Sequence, residues 1–590
     1  MNPTSPPSVA GRKSPLRRTD VLLLLLLCLV RYGFTLVYHR VLTTHEAVHC
    51  ENVREMFRDG DWLIPTYGGR VWLERPPLPH WATGAVASLV GGVDRDWAMR
   101  VASILAGAAA VLLTARMASV WYGRGVGLLS GAVLATMREF ANYSTGPEAD
   151  IFLCTMVALG HALLARLEFE ERPVEGPVRA RFLGGRSWTM LAFFVTLGLT
   201  NMTKGPAFGM TFVLLPMAVY FLWNADWQGV RRYVWLWGWL AFAAAAGVWY
   251  AAAFWRYPDL IDLWYKTFEV RINARFDAEP FWYYLAHQPW NAFPWVATAL
   301  IGLAWTARPA FREGDRPARY LWCWALAPLV FFSLSRGKHH HYLLSCLAPL
   351  AVLAALGAVR LWDWLRQAPS WLRQPWLGTL AAGALGDAAL AAVEAHVHGP
   401  AWLTVALLAG WPALVFLGWY AAGRRDGRVA AAGVVALVAA VQCLAYVHQT
   451  EFLDRYKQDS VFLREAASLT PAGQPVLVEN DEANPLNASW FLYYLHGRGR
   501  ILQNLTFLRG DDLRESEVYL ITRSGRRAEL EEYGSADLMA QSVETRGEKS
   551  SEDRWSLFRL RFRDGLRRLP AHVRITPAQA AGLDAGPFLQ

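Results

Sequence analysis

Long apolar runs separated by short polar loops dominate the chain. Thirteen of them are long enough, or nearly so, to cross a bilayer as helices: 21–38, 97–118, 124–142, 150–166, 187–203, 206–223, 234–254, 292–307, 319–335, 342–361, 377–395, 401–420 and 429–447. The yardstick is about 20 apolar residues for the hydrocarbon core. A further run near His80–Gly91 is too short and is expected to lie at the interface. The pattern changes after His448, where strand-like runs (PVLVEN, EVYLITRS) mix with charged helical stretches and predict a small extramembrane α/β domain. The expected organisation is a tail over 1–20, an all-α polytopic membrane domain over 21–447 with a first outer loop over 39–96, and an exported domain over 448–590.

Charge fixes the expected orientation. Arg12, Lys13, Arg17 and Arg18 precede the first apolar run, and no small-residue cleavage site follows it, so the segment reads as a retained signal anchor. With these cations inside, the loops returning to the inside carry Arg116 and Arg124; Arg166, Arg172, Arg179, Arg181 and Arg186; Arg231 and Arg232; Arg308, Arg312 and Arg316; Arg360, Arg366 and Arg373; and Arg424, Arg425 and Arg428. All six loops are basic, as the positive-inside rule requires, so the net charge of +9 reports orientation and not nucleic-acid binding. The 29 tryptophans suit membrane interfaces, and six scattered cysteines without a CxxC argue against a disulfide framework or a cysteine zinc site.

The outward loops collect the candidate chemistry. His45, Glu46 and His49 spell His-Glu-x-x-His, the zinc-peptidase pattern, with Glu46 as base and Glu74 as a conceivable third ligand. The same face adds Glu51, Arg75, Glu139, Glu148, Asp150, Lys204, Glu269, Arg271, Arg275, Arg336, Lys338, His339 to His341 and Tyr342. Ionisable groups at a membrane boundary are costly unless paired or wet, which makes them functional candidates. Carboxylates and imidazoles handle protons, while several cations hold an anion such as a phosphate. Bland readings stand beside these. Arg31 snorkels or pairs, His80 packs at the interface, the histidine run is a solvated loop end, Arg54 and Glu55 are surface charges, and Asp150 caps a helix.

The ordered series HEAVHCENVREMFRDGDWLIPTYGGRVWLERPPLPHW, EADIFL, TKGP, PFWYYL and SLSRGKHHHYLLSCLAPLAVL, over roughly 20–365, resembles the bacterial membrane glycosyltransferases of the GT-C fold. It is most similar to the aminoarabinose (lipid A) transferases and protein O-mannosyltransferases. The resemblance implies a sugar carried on a polyprenyl phosphate of the undecaprenyl type, a lipid A-like or protein hydroxyl as acceptor, and a location in the bacterial inner membrane. It also implies catalytic roles for His45, Glu46 and Asp150, a donor-phosphate grip from Arg75, Lys338, Tyr342 and Arg275, and a divalent metal at Glu74. The chain departs from the family at His45, where an aspartate is usual. A neutral imidazole accepts a hydroxyl proton but supplies no negative charge to an oxocarbenium-like centre. The competing readings, a membrane zinc protease or a non-catalytic polyprenyl-lipid binder, leave the rest of the ordered series unexplained.

Overall fold

The computed structural model describes residues 15–563 apart from 39, 69, 73–74, 172–181, 185, 206–207, 262–264, 266–277, 368–426, 453, 480–489, 503–516 and 544–549. The expected spans at 377–395 and 401–420 lie outside the described residues, as do Glu74 and Arg275.

Helix α1 (Arg18–Val37) is an apolar run whose first turn carries Asp20, and Arg124 Nε and Nη2 clamp that carboxylate at 2.6 and 2.7 Å. Leu22, Leu23, Leu25, Leu26, Leu29 and Val30 are exposed, while Leu24, Cys28 and Tyr32 are buried against the bundle. A lipid-facing side and a packed side are what a peripheral membrane helix requires. The outer loop follows with α2 (Thr44–Asp59), a two-stranded antiparallel ribbon of β1 (Thr66–Tyr67) and β2 (Arg70–Val71), and α3 (Leu78–Val90). Residues 78–90 are thus helical but too short to span, in keeping with the sequence.

The bundle continues through α4 (Asp96–Tyr122), α5 (Arg124–Ala135), α6 (Arg138–Tyr143), α7 (Ala149–Phe169), α8 (Trp188–Lys204), α9 (Thr211–Trp223) and α10 (Leu236–Arg256). It closes with α11 (Val296–Arg308), α12 (Arg316–Ser333), α13 (Leu347–Gln367) and α14 (Gly427–Phe452). Among the described residues, five helices are long and apolar enough to cross a membrane: Arg18–Val37, Asp96–Tyr122, Ala149–Phe169, Leu236–Arg256 and His340–Trp364. The expected span 124–142 is divided, because Thr136 ends α5. Its hydroxyl donates to Ala132 O (2.7 Å) and accepts from Trp295 Nε1 (3.0 Å), and the Arg138 N–H turns to Phe293 O (3.0 Å).

After α15 (Asp454–Leu469) comes a five-stranded sheet in the order β4-β3-β5-β7-β6, built from β3 (Val476–Glu479), β4 (Gly499–Leu502), β5 (Glu517–Arg523), β6 (Gly534–Gln541) and β7 (Trp555–Phe562). β3 pairs in parallel with β4 and β5, and β7 pairs antiparallel with β5 and β6. Both faces are covered. Val476, Val478, Tyr519, Ile521, Trp555 and Leu557 face one core, whereas Leu477, Val518, Leu520, Phe558 and Leu560 face another. That split follows the two-residue alternation of a strand. The first core also takes in Leu42, Ala47, Cys50 and Val53, so the C-terminal sheet and α2 share one apolar interior.

Candidate active site

The site grows from α2. Thr43 caps the helix reciprocally with Glu46, whose Oε2 accepts from the Thr43 N–H at 2.9 Å. Glu46 Oε1 meets Arg40 Nη2 at 2.8 Å and Arg100 Nη1 at 3.5 Å, and the carboxylate is fully buried. Arg100 is completely buried in α4 and also donates to Thr145 O and Arg40 O, at 3.0 Å each. A methyl group on Gly146 would stand 2.5 Å from Glu46 Oε1, so glycine is required for this approach. Burial alone would push the Glu46 carboxyl up, but Arg40, Arg100 and the Thr43 N–H outweigh it and hold the group below its ordinary value. Glu46 is therefore an ionised member of a buried ion pair. His45, beside it in the first turn, is exposed.

His49 does not join His45. Its Nε2 lies 3.0 Å from Thr83 Oγ1, and its ring stacks on His80 with centroids 4.4 Å apart. Burial, aided by the nearby Arg75 charge, pushes His80 down to about 3, and burial with His80 lowers His49 well below the usual imidazole value. Both rings are neutral near pH 7. Among the described residues, which do not include Glu74, no three His, Cys, Asp or Glu side chains are arranged to hold a metal ion. The zinc-peptidase base would be Glu46, which is already engaged by two arginines.

The second half of the site forms where α7 begins and α8 ends. Lys204 Nζ meets Asp150 Oδ1 at 2.5 Å, with both side chains 3% exposed. Asp150 Oδ2 has no hydrogen-bond partner among the described residues and faces Arg75 Nη1 at 3.9 Å. Lys204 Nζ also lies 4.7 Å from the centre of the Tyr342 ring, and Phe208 packs edge-on against that ring. Asp150, Arg75 and Tyr342, chosen from sequence, thus converge, and Lys204 links them. Lys338 is placed differently. Its ammonium donates to Glu279 O at 2.8 Å and to Ser335 O, tying a loop together. The histidine run is partly solvated: His340 is exposed, with Nε2 3.0 Å from the buried Glu139 Oε1, while His341 packs against Tyr143.

Glu148 sits between the two halves, half-buried as the residue before α7. Burial, reinforced by Glu46 and Asp150, pushes its carboxyl up to about 7 against the pull of Arg75 and Arg40. The folded chain therefore binds more protons here than the unfolded chain between the ordinary carboxyl range and pH 7, so this group's contribution to stability falls as pH rises through that window. Thermal midpoints of wild type and Glu148→Gln are expected to diverge in favour of the variant as pH rises from 4.5 to 8. A gap independent of pH would contradict the assignment.

Arg54 and Glu55 are the clearest misreading of the sequence. Both are buried, not on the surface. Arg54 Nη1 donates to Glu51 Oε2 (2.8 Å) and Tyr493 O (2.6 Å), and its guanidinium stacks 4.0 Å from the Tyr493 ring centre. Tyr493 Oη in turn reaches Asp96 at 2.7 Å, and Tyr494 Oη accepts from the Leu42 N–H at 2.9 Å. The C-terminal region thereby grips both ends of the segment that carries Glu46.

A helical bundle with several membrane-length helices, a buried carboxylate–cation site and a small mixed sheet sharing an apolar interior with α2 describes a multi-pass membrane protein. Comparisons with known proteins agree. Residues 22–265 match the family model described as dolichyl-phosphate-mannose-protein mannosyltransferase. An undecaprenyl phosphate-alpha-4-amino-4-deoxy-L-arabinose arabinosyl transferase from Aeromonas salmonicida is 28% identical over 62% of this chain and 66% of its own length. One of the same name from Pseudomonas paraeruginosa is 30% identical over 64% and 66%. The alignments thus span just under two thirds of these relatives. The crystal structure of ArnT from Cupriavidus metallidurans bound to undecaprenyl phosphate superposes with a TM-score of 0.71 at 20% identity, covering 92% of this chain and 97% of that one. The chain is a multi-pass membrane protein with the GT-C fold, similar to aminoarabinose transferases and protein mannosyltransferases.

Proposed function

We propose that the chain transfers a sugar from an undecaprenyl-phosphate-type donor to a lipid A-like or protein hydroxyl acceptor. The observation that carries this reading is the convergence of Arg75, Lys204 and Tyr342 on the buried Asp150. In the reaction the acceptor oxygen attacks the anomeric carbon, the bond from that carbon to the phosphate oxygen breaks, and the lipid phosphate leaves with the electron pair. Arg75 and the Tyr342 hydroxyl stabilise the charge that grows on the phosphate, an effect strengthened where water is scarce. Asp150, held in place by Lys204, supplies negative charge beside the electron-poor anomeric centre. The acceptor proton passes to a base on the first loop. His45, exposed in the first turn of α2, takes this role, whereas Glu46 pairs with Arg40 and Arg100 and acts by placing the start of α2. Arg275, outside the described residues, is a further phosphate ligand by the family resemblance. Lys338 orders the loop that leads into Tyr342.

Replacing Arg75 by Ala is expected to cost about 2–4 kcal/mol of transition-state stabilisation, on the order of 10²–10³-fold in transfer rate. Tyr342→Phe loses one hydrogen bond and no charge and should cost less. Initial rates with a radiolabelled polyprenyl-linked sugar check both, and unchanged rates in Arg75→Ala at normal expression would remove the phosphate grip. Six basic loops support a cytoplasmic N-terminus and an exported domain after His448, across the inner membrane. A reporter fused after His448 should be exported, and its retention in the cytoplasm would overturn the grouping of the site loops on the outer face.

A further inference from the structure

Arg31 stands thirteen residues into α1 and is 5% exposed, so it does not snorkel to the boundary. Nor does it meet a carboxylate among the described residues. Its Nε donates to Gln442 Oε1 of α14 at 2.9 Å, Gln442 Nε2 donates to Thr136 O at 2.6 Å, and Arg31 Nη1 has no hydrogen-bond partner among the described residues. Tyr446, one turn further along α14, is 4% exposed and its hydroxyl is likewise unpartnered. That hydroxyl lies within electrostatic range of both Arg31 and Arg100. Arg100 and Arg40 share the single Glu46 carboxylate, and the Nε of each lacks a partner. Among the described residues Arg31 thus meets no carboxylate, while Arg40 and Arg100 share Glu46, with Glu148 the further acid near Arg40. Asp96, the other acid near Arg100, is taken by Tyr493 Oη at 2.7 Å and Arg464 at 3.7 Å.

Buried like charges are costly unless an opposite charge and hydrogen bonds satisfy them, and a guanidinium's planar fork matches an oxyanion. The helices that carry the cluster also border lipid. α1 exposes Leu29 and Val30 beside Arg31, and α14 exposes Val441 beside Gln442. We propose that Arg31, Arg40, Arg100 and Tyr446 bind the phosphate of an anionic membrane phospholipid that reaches in beside α1 and α14. This site differs in its residues from the Asp150 site. A phosphate here shares Arg40 and Arg100 with Glu46 and so fixes the entry to α2, which makes the lipid a positioning ligand for the first loop.

The test uses the purified full chain in neutral detergent, with phosphatidylglycerol, phosphatidylcholine or inorganic phosphate added. Lipid retention is read by native mass spectrometry and the unfolding midpoint by fluorescence, so neither readout depends on sugar transfer. Wild type should retain phosphatidylglycerol and gain in Tm, and Arg31→Gln should retain at least tenfold less. Tyr446→Phe, which keeps every charge, should retain several-fold less and serves if Arg31→Gln fails to fold. Equal retention by wild type and Tyr446→Phe, or equal retention of phosphatidylglycerol and phosphatidylcholine, would overturn the site. A Tm gain with inorganic phosphate matching that with phosphatidylglycerol would overturn the lipid assignment.

Discussion

Lys204→Met should abolish sugar transfer and also destabilise the protein, because it strands the Asp150 carboxylate. The pair is 2.5 Å long and both side chains are 3% exposed, and without Lys204 the nearest cation among the described residues is Arg75, at 3.9 Å. Removing one partner of a buried pair typically costs about 3–5 kcal/mol, since the other charge remains out of water. The double variant Lys204→Met/Asp150→Asn separates structure from chemistry. It neutralises the stranded acid and should recover most of the lost Tm, while transfer stays absent because both charges are gone from the site. A double variant that recovers transfer as well as stability would show that Asp150 and Lys204 only brace α7 against α8.

The second large effect is expected at Glu46. Glu46→Ala leaves the Arg40 and Arg100 guanidiniums without their shared carboxylate and removes the acceptor for the Thr43 N–H. Two buried arginines facing each other unneutralised should cost about 3–5 kcal/mol, seen as a fall in Tm and in membrane yield. Glu46→Gln keeps the cap acceptor and the shape, so its loss should be smaller. If Glu46→Ala keeps the wild-type Tm but loses transfer, Glu46 is a chemical group and not the fixing point of α2.

The bundle was legible because membrane helices leave a one-dimensional signature. Runs of apolar residues bounded by arginines locate them without any knowledge of their neighbours. Asp150 and Tyr342 stand out in the sequence as polar groups at the ends of apolar runs, and the roles of Asp150, Arg75 and Tyr342 come from the family resemblance. The sequence places Lys204 on the same face as Asp150 but does not pair the two. Its position in the last turn of an apolar helix was the available signal, and the partner lies 54 residues away. Arg100 was passed over inside a run counted as a span, although an arginine buried four residues into such a helix demands an acid nearby. Arg54 and Glu55 failed for a purely tertiary reason. The helix face that carries them is covered by Tyr493, more than 400 residues later, and nothing local to α2 announces that cover. His45-Glu46-x-x-His49 misleads in the same way. Helical spacing is met, but Glu46 turns to Arg40 and Arg100 and His49 to Thr83 and His80, while His45 is exposed on α2.

The central claim is that Asp150 and the cations around it form a centre for sugar transfer from a polyprenyl phosphate. The most direct measurement follows a radiolabelled sugar on undecaprenyl phosphate, incubated with the purified chain and a lipid or protein acceptor fraction. The wild type should move label into the acceptor and release undecaprenyl phosphate in equal amount, and Asp150→Asn should do neither while still folding. Label that stays on the donor with wild-type protein across both acceptor fractions, or that moves as fast with Asp150→Asn, would contradict the account.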